Sequence, residues 1–222
     1  MMITPDRHAM SHTLSQQLKA ATADLHRQAE RSGVMAQLLR GRIDRAAYGR
    51  LLRSLLEIYQ ALEDGCRRHA SHRLLAELQL GDLWRSDALR SDIDALRATG
   101  AAAAAPALEY ADRLAQLSRD DPALLAAHAY VRYLGDLNGG QLLQPIVRSV
   151  LNLQGAEGTR FYQFDVPDAS AHARCYRGVF DALALEPAAA DAAIAEACWS
   201  FEQHIALFEE LAAHTRSETW GS

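Results

Sequence analysis

Apolar residues recur at three- and four-residue spacing along most of this chain, the period of a helix buried on one face. Leu14, Leu18, Ala21, Leu25 and Ala29 form the first such stripe. Thr13 and Gln16 precede it with the T-x-x-Q spacing of a capping box. That helix is expected to stop near Gly33, with a short second piece over residues 34–39. Asp44 caps the next, which runs to about His69 and buries Tyr48, Leu51, Leu52, Leu55, Tyr59 and Leu62. Shorter helices are expected over 73–80 and 83–99, broken at Gly81 and Gly100. The run GAAAAAP, residues 100–106, reads as a loop or a helix start. Pro106 suits a first turn, which places a helix at 106–118. DDPALL, an aspartate cap with Pro122 in the first turn, opens a long helix over 122–151. Residues 153–169 read as a connecting loop, followed by helices over 170–185 and 187–214. The sum is a single all-α, bundle-like domain over residues 13–214. Residues 1–12 are expected to be a disordered tail and 215–222 a polar one.

Composition agrees. Apolar residues make up 49% of the 222, too many for a disordered chain. Alanine is abundant while valine and isoleucine are sparse, which favours helix over strand. The net charge is −5 with no basic run, which argues against nucleic acid as a partner. Cys66, Cys175 and Cys198 are odd in number, far apart and without CxxC spacing. No disulfide framework or zinc site is expected, and a reducing cytoplasm fits. The first residues lack the apolar core of a signal peptide, and no run of 18 apolar residues suggests a membrane span.

One stretch works against its own helix. In YLGDLNGGQ, residues 133–141, Gly135, Gly139 and Gly140 fall within six residues. Each costs roughly 1 kcal/mol relative to alanine in a helix interior. Together they cost on the order of 3 kcal/mol out of a typical total stability of about 5–15 kcal/mol. Either two helices cross closely there, or something flat lies against the bare backbone. At 3.6 residues per turn, His128, Arg132, Gly135, Asp136 and Gly139 share a face. That face combines bare backbone with one carboxylate and one guanidinium. On the first helix His26 precedes Glu30 by one turn. The pair could be a surface hydrogen bond, or a metal-binding imidazole with the carboxylate that orients it.

LKAATADLHRQAE (18–30), LLEIYQALE (55–63), AHAYVRYLGDLNGGQ (127–141) and LFEEL (207–211) resemble, in order and spacing, the signature regions of haem oxygenases. The resemblance spans about residues 14–213. It implies an all-α fold with haem between a proximal helix and a kinked, glycine-containing distal helix. It implies His26 as axial iron ligand with Glu30 as its partner, and Gly135, Gly139 and Gly140 as backbone close to the macrocycle. Asp136 would organise the water that delivers protons during oxygen activation, with Tyr59 and Arg132 extending that network. Lys19, Tyr130 and Arg177 match positions that meet the haem propionates, and Phe201 matches an apolar wall position. The implied reaction consumes haem, both cofactor and substrate, with O2 to give biliverdin, carbon monoxide and ferrous iron. Electrons would come from outside, from a ferredoxin or flavin reductase, because no GxGxxG or βαβ pattern is present.

The chain departs from that pattern in places. Asn138 stands where serine is common, His204 where asparagine is frequent in the animal enzymes, and Ala173 where a propionate-side lysine is usual, with Arg174 adjacent. These changes leave the in-plane orientation of haem, and the biliverdin isomer, unassigned. A haem carrier or sensor on the same fold has no need of Asp136. A thiaminase-like enzyme of the same architecture needs an activated cysteine, and none of the three has a context that suggests one.

Overall fold

The computed structural model describes residues 12–218 apart from 79 and 184, with side chains given as far as His214. Of the expected tails at 1–12 and 215–222, residues 1–11 and 219–222 lie outside the described residues, while 215–218 continue the last helix. Among those described there is no strand. Nine helices occur in the order α1 (Leu14–Arg31), α2 (Gly33–Leu39), α3 (Arg45–Arg68), α4 (Arg73–Glu77), α5 (Ser86–Ala95), α6 (Ala105–Asp120), α7 (Leu125–Val150), α8 (Ala169–Ala182) and α9 (Pro187–Glu218). Single 3-10 turns lie at Leu80–Leu83, Pro122–Leu124 and Arg160–Tyr162. The last helix passes the expected end at His214 by four residues.

The capping box at Thr13 is present in both directions, and Asp44 caps α3 by accepting the Ala47 N–H. The α3 stripe is buried as its spacing requires, and α3 lies at the centre, against α5, α6, α7 and α9. Each such leucine contributes roughly 1.5–3 kcal/mol on burial. The α1 stripe behaves differently. Leu14, Leu18 and Ala29 are buried, whereas Leu25 is half-buried and Ala21 exposed. The part of α1 from His26 to Glu30 borders a cavity.

Backbone geometry holds that cavity open. Gly33, the first residue of α2, has φ +39, and a Cβ there would lie 1.9 Å from the Phe208 carbonyl oxygen of α9. Its N–H donates to Glu209 Oε1 at 2.8 Å. The chain reversal that puts Met35 and Leu39 opposite α7 thus depends on a residue without a side chain. On the other side, Asp92 of α5 accepts the N–H groups of Arg160 (2.9 Å) and Phe161 (2.8 Å). This fixes the turn that carries Phe161 and Tyr162 to the cavity.

The helix expected over residues 83–99 is shorter. A 3-10 turn ends at Leu83, α5 starts at Ser86 and ends at Ala95, and Arg97 follows in the left-handed region at φ 56. The start is set from a distance. Glu63, fully buried on α3, accepts the Arg85 and Ser86 N–H groups at 2.6 and 3.0 Å and Arg67 Nη2 at 3.1 Å. Glu63→Ala orphans two buried N–H donors at about 1–3 kcal/mol each. It should therefore lower the urea-unfolding free energy by about 2–6 kcal/mol. A loss below about 1 kcal/mol would mean that water replaces the carboxylate.

Candidate functional site

α7 remains helical through Gly135, Gly139 and Gly140, with Pro145 one turn further on. Pro145 lacks the N–H that would bond the Gln141 carbonyl, which further weakens this part of the helix. The three glycines do different things. A Cβ on Gly135 or Gly139 would meet nothing within 4 Å, so neither is a helix-crossing point. A Cβ on Gly140 would approach the Tyr162 carbonyl oxygen at 3.3 Å. Gly140 therefore lets the 160–162 turn pack on α7, while Gly135 and Gly139 present bare backbone to open space.

That space is a cavity of about 210 Å³ between α1–α2 and α7, closed by α9 and the 160–162 turn. His26, Ala29 and Glu30 form its α1 wall; Arg132, Gly135, Asp136 and Gly139 form the α7 wall. Leu55, Val131, Phe161, Phe201 and Phe208 are among the apolar residues between them. Two leucines, Leu39 and Leu142, also line it although they are 41% and 70% exposed, which puts them at its rim. His26 stands with its ring centroid 5.8 Å from Phe201, edge to face, and its Nδ1 lies 3.7 Å from Glu30 Oε1. That separation is longer than a hydrogen bond.

The polar groups at the α7 wall form one connected cluster. Tyr59, fully buried on α3, does not line the cavity but donates its hydroxyl proton to Asp136 Oδ2. Arg132 donates to the Tyr59 oxygen from Nε (3.0 Å) and Nη2 (2.8 Å), and from Nη2 to Asp136 Oδ1 (3.2 Å). Burial raises the Asp136 carboxyl above the usual carboxylate range, although Arg132, the Tyr59 hydroxyl and the more distant Arg85 pull it back. Burial also holds the Tyr59 phenol well above 10. An ionised carboxylate has about four acceptor sites. Two are taken here, which leaves Asp136 able to accept from water in the cavity.

His128, placed by helical period on the same face, is not at the cavity. It is fully buried, with Nδ1 2.9 Å from the Tyr110 hydroxyl and Nε2 3.1 Å from Glu196 Oε2. Glu196 is also bound by Arg113. Burial alone would raise Glu196, but the bonds from His128 and Arg113 hold it at about 2. Burial keeps His128 below its ordinary value. Both its nitrogens are engaged, so His128 has no free atom for a ligand.

Other expected residues lie outside the lining. Lys19 is exposed on α1 and Arg177 half-buried on α8. Tyr130 turns its hydroxyl to the Ser15 carbonyl at 3.1 Å and packs on Phe180. Asn138 folds back on its own helix, donating to the Leu134 carbonyl at 2.7 Å. Residues the sequence left without a role do line the cavity: Met35, Leu142, Phe161, Tyr162 and Phe208. None of the three cysteines does. Burial pushes the Cys66 thiol up to about 12 and also raises Cys198, the opposite of an activated nucleophile. Among the described residues no cluster of three or more His, Cys, Asp or Glu could hold a metal ion. A metal bound by His26 would have to bring most of its own ligands.

The heme oxygenase family model matches residues 12–210. Heme oxygenase 1 of Nostoc sp. is 33% identical over 207 residues, 91% of this chain and 87% of that protein. Heme oxygenase 1 of Homo sapiens is 36% identical over 217 residues, 95% of this chain and 75% of the human protein. The structure of heme oxygenase-1 from Synechocystis sp. PCC6803 in complex with heme superimposes with a TM-score of 0.88 at 30% identity, over 94% of this chain and 96% of that one. With His26 on one wall of the cavity and a bare glycine backbone on the other, this chain belongs to the heme oxygenase family.

Proposed function

We propose that the chain binds haem in this cavity and opens the macrocycle oxidatively to biliverdin, carbon monoxide and ferrous iron, with O2 and electrons from an external donor. The observation that carries the reading is the pairing of His26 on one wall with Gly135 and Gly139 on the other, beside the cluster of Asp136, Arg132 and Tyr59. The residues fit the group. A single imidazole would suit an iron whose remaining protein-independent ligands come from a porphyrin. The enclosed volume is below the roughly 300–1,000 Å³ usual for small-molecule sites, and the exposed apolar rim at Leu39 and Leu142 extends it for a disc that lies partly outside.

Bound haem supplies oxygen activation at its iron and is itself the molecule consumed. The protein does the rest. Glu30 faces Nδ1 of His26, which leaves Nε2 as the atom that would meet iron. Gly135 and Gly139 admit the ring and leave room for a small diatomic molecule. Asp136 holds water against the reacting face, and its tie to Tyr59 and Arg132 keeps the carboxylate aimed at the cavity. Phe201 and Phe208 exclude bulk water from the His26 side. Lys19 and Arg177 are the cations we assign to the propionates, Lys19 exposed and Arg177 half-buried. Tyr130, bound to Ser15, holds α1 to α7 rather than facing the ligand. No described helix is long and apolar enough to cross a membrane.

One equivalent of hemin added to the purified protein should give a sharp histidine-ligated Soret band. On addition of a reductant in air that band should decay as a biliverdin band grows and carbon monoxide is released. A stable Soret band under those conditions would turn the assignment to a haem carrier.

A further inference from the structure

Arg132 has one donor group left after Tyr59 and Asp136, and it is used. Nη1 donates to Nε2 of His204 on α9 at 2.8 Å. The other ring nitrogen, Nδ1, lies 2.7 Å from the Ser200 carbonyl oxygen. Arginine has donors only and a carbonyl accepts only. These two partners therefore force one form of the imidazole: the proton is on Nδ1 and the lone pair on Nε2. The ring is 3% exposed and boxed in, with Tyr110 at 5.4 Å edge to face and Phe208 at 5.9 Å. It also lines the cavity.

We propose that His204 is a positioning residue: a neutral imidazole, fixed as its Nδ1–H form by Ser200, that accepts from Arg132 and so locks the guanidinium that holds Tyr59 and Asp136 over the cavity. With Nε and Nη2 on Tyr59 and Asp136 and Nη1 on His204, all three guanidinium nitrogens are pinned to groups from α3, α7 and α9. Without the α9 partner Arg132 can pivot about its Tyr59 contacts, and Asp136 moves with it. The charged form of His204 cannot serve. It would carry a proton on Nε2, lose the bond and set two cations against each other. The titratable and charged groups facing the ring are Arg132 and His128 from α7 and Tyr110 from α6, with Tyr59 and Asp136 beyond Arg132. Burial and the Arg132 charge both hold His204 well below its ordinary value, as this role requires. The inference rests on the haem oxygenase reading only for its catalytic consequence; the geometry it asserts belongs to the unliganded protein.

The test begins there. In protein labelled with 15N-histidine and 15N-arginine, without hemin, His204 should show the Nδ1–H tautomer unchanged from pH 8 to pH 5.5. An Nε2–H tautomer, or titration near the ordinary value, overturns the proposal whether or not the protein degrades haem. The Arg132 guanidinium protons should exchange with water at least about tenfold faster in His204→Leu than in the wild type, and His204→Gln, an acceptor that cannot titrate, should restore slow exchange. With hemin, His204→Leu should lose on the order of tenfold in ring-opening rate, since small misplacements of positioned groups carry penalties up to about 10²-fold, with hemin affinity within about twofold. His204→Gln, which still offers Arg132 an acceptor, should recover that rate. If the leucine variant does not fold, the wild-type tautomer and the glutamine variant still decide. Unchanged exchange and rate in His204→Leu overturns the proposal.

Discussion

His26→Ala is expected to abolish the histidine-ligated haem spectrum, and free imidazole added to that variant to restore it. The cavity offers an axial nitrogen at His26 and at His204, and the latter has both ring nitrogens committed to Arg132 and Ser200. His26 has only the long contact to Glu30 at Nδ1. Removing a residue that merely orients a metal ligand costs about 10–100-fold in affinity or activity; removing the ligand itself should exceed that. Much of the apolar wall remains, so hemin still binds, and the alanine leaves a hole that an imidazole fills. His128→Ala is the control. It breaks the buried contacts to Tyr110 and Glu196, so it should lower stability and leave the Soret band in place. The reverse pattern would move the ligand to His128 and undo the site described here.

Asp136→Ala should keep the Soret band and lose biliverdin formation by about 10²–10⁴-fold, the usual range for a positioned proton-transfer group. Hemin affinity should hold because the contacts at His26, Phe201 and the glycines are untouched. The variant leaves the Tyr59 hydroxyl without its acceptor and Arg132 without its carboxylate, so a modest loss of stability is also expected. Asp136→Asn separates the two roles. It preserves an acceptor for Tyr59 but removes the charge that organises water, and so should recover stability more than rate. Full biliverdin yield from Asp136→Ala would remove the carboxylate from the reaction.

Most helices were legible because their signals are local. The Thr13 box, the Asp44 cap, Pro106 and the α3 stripe each lie within one or two turns of what they determine. The region 83–99 reads as one helix in the sequence because the group that sets the start of α5, Glu63, lies some twenty residues earlier on another helix, and no local window contains both. At the site, helical period correctly grouped Arg132, Gly135, Asp136 and Gly139. It also put His128 with them, since period gives a face and not a depth, and α6 and α9 bury that end of the helix. The glycines posed a choice between crossing and ligand that spacing could not settle. Only the neighbours of each missing Cβ divide them, Gly140 against Tyr162 and the other two against nothing. His204 stands out in the sequence only as a departure, because its bond to Arg132 joins residues 72 positions apart.

The two unopposed glycines also bear on how long each molecule lasts. Until a ligand covers them, Gly135 and Gly139 weaken α7 by roughly 1 kcal/mol each relative to alanine and gain no packing in return. A ligand that binds only the folded chain stabilises it by about 2.7 kcal/mol when present at a hundred times its dissociation constant. Differences of about 1–2 kcal/mol are enough to change the abundance of a protein in a cell several-fold through proteolysis of its open forms. The loaded protein is then expected to resist proteolysis longer than the empty one, which digestion with and without hemin would show.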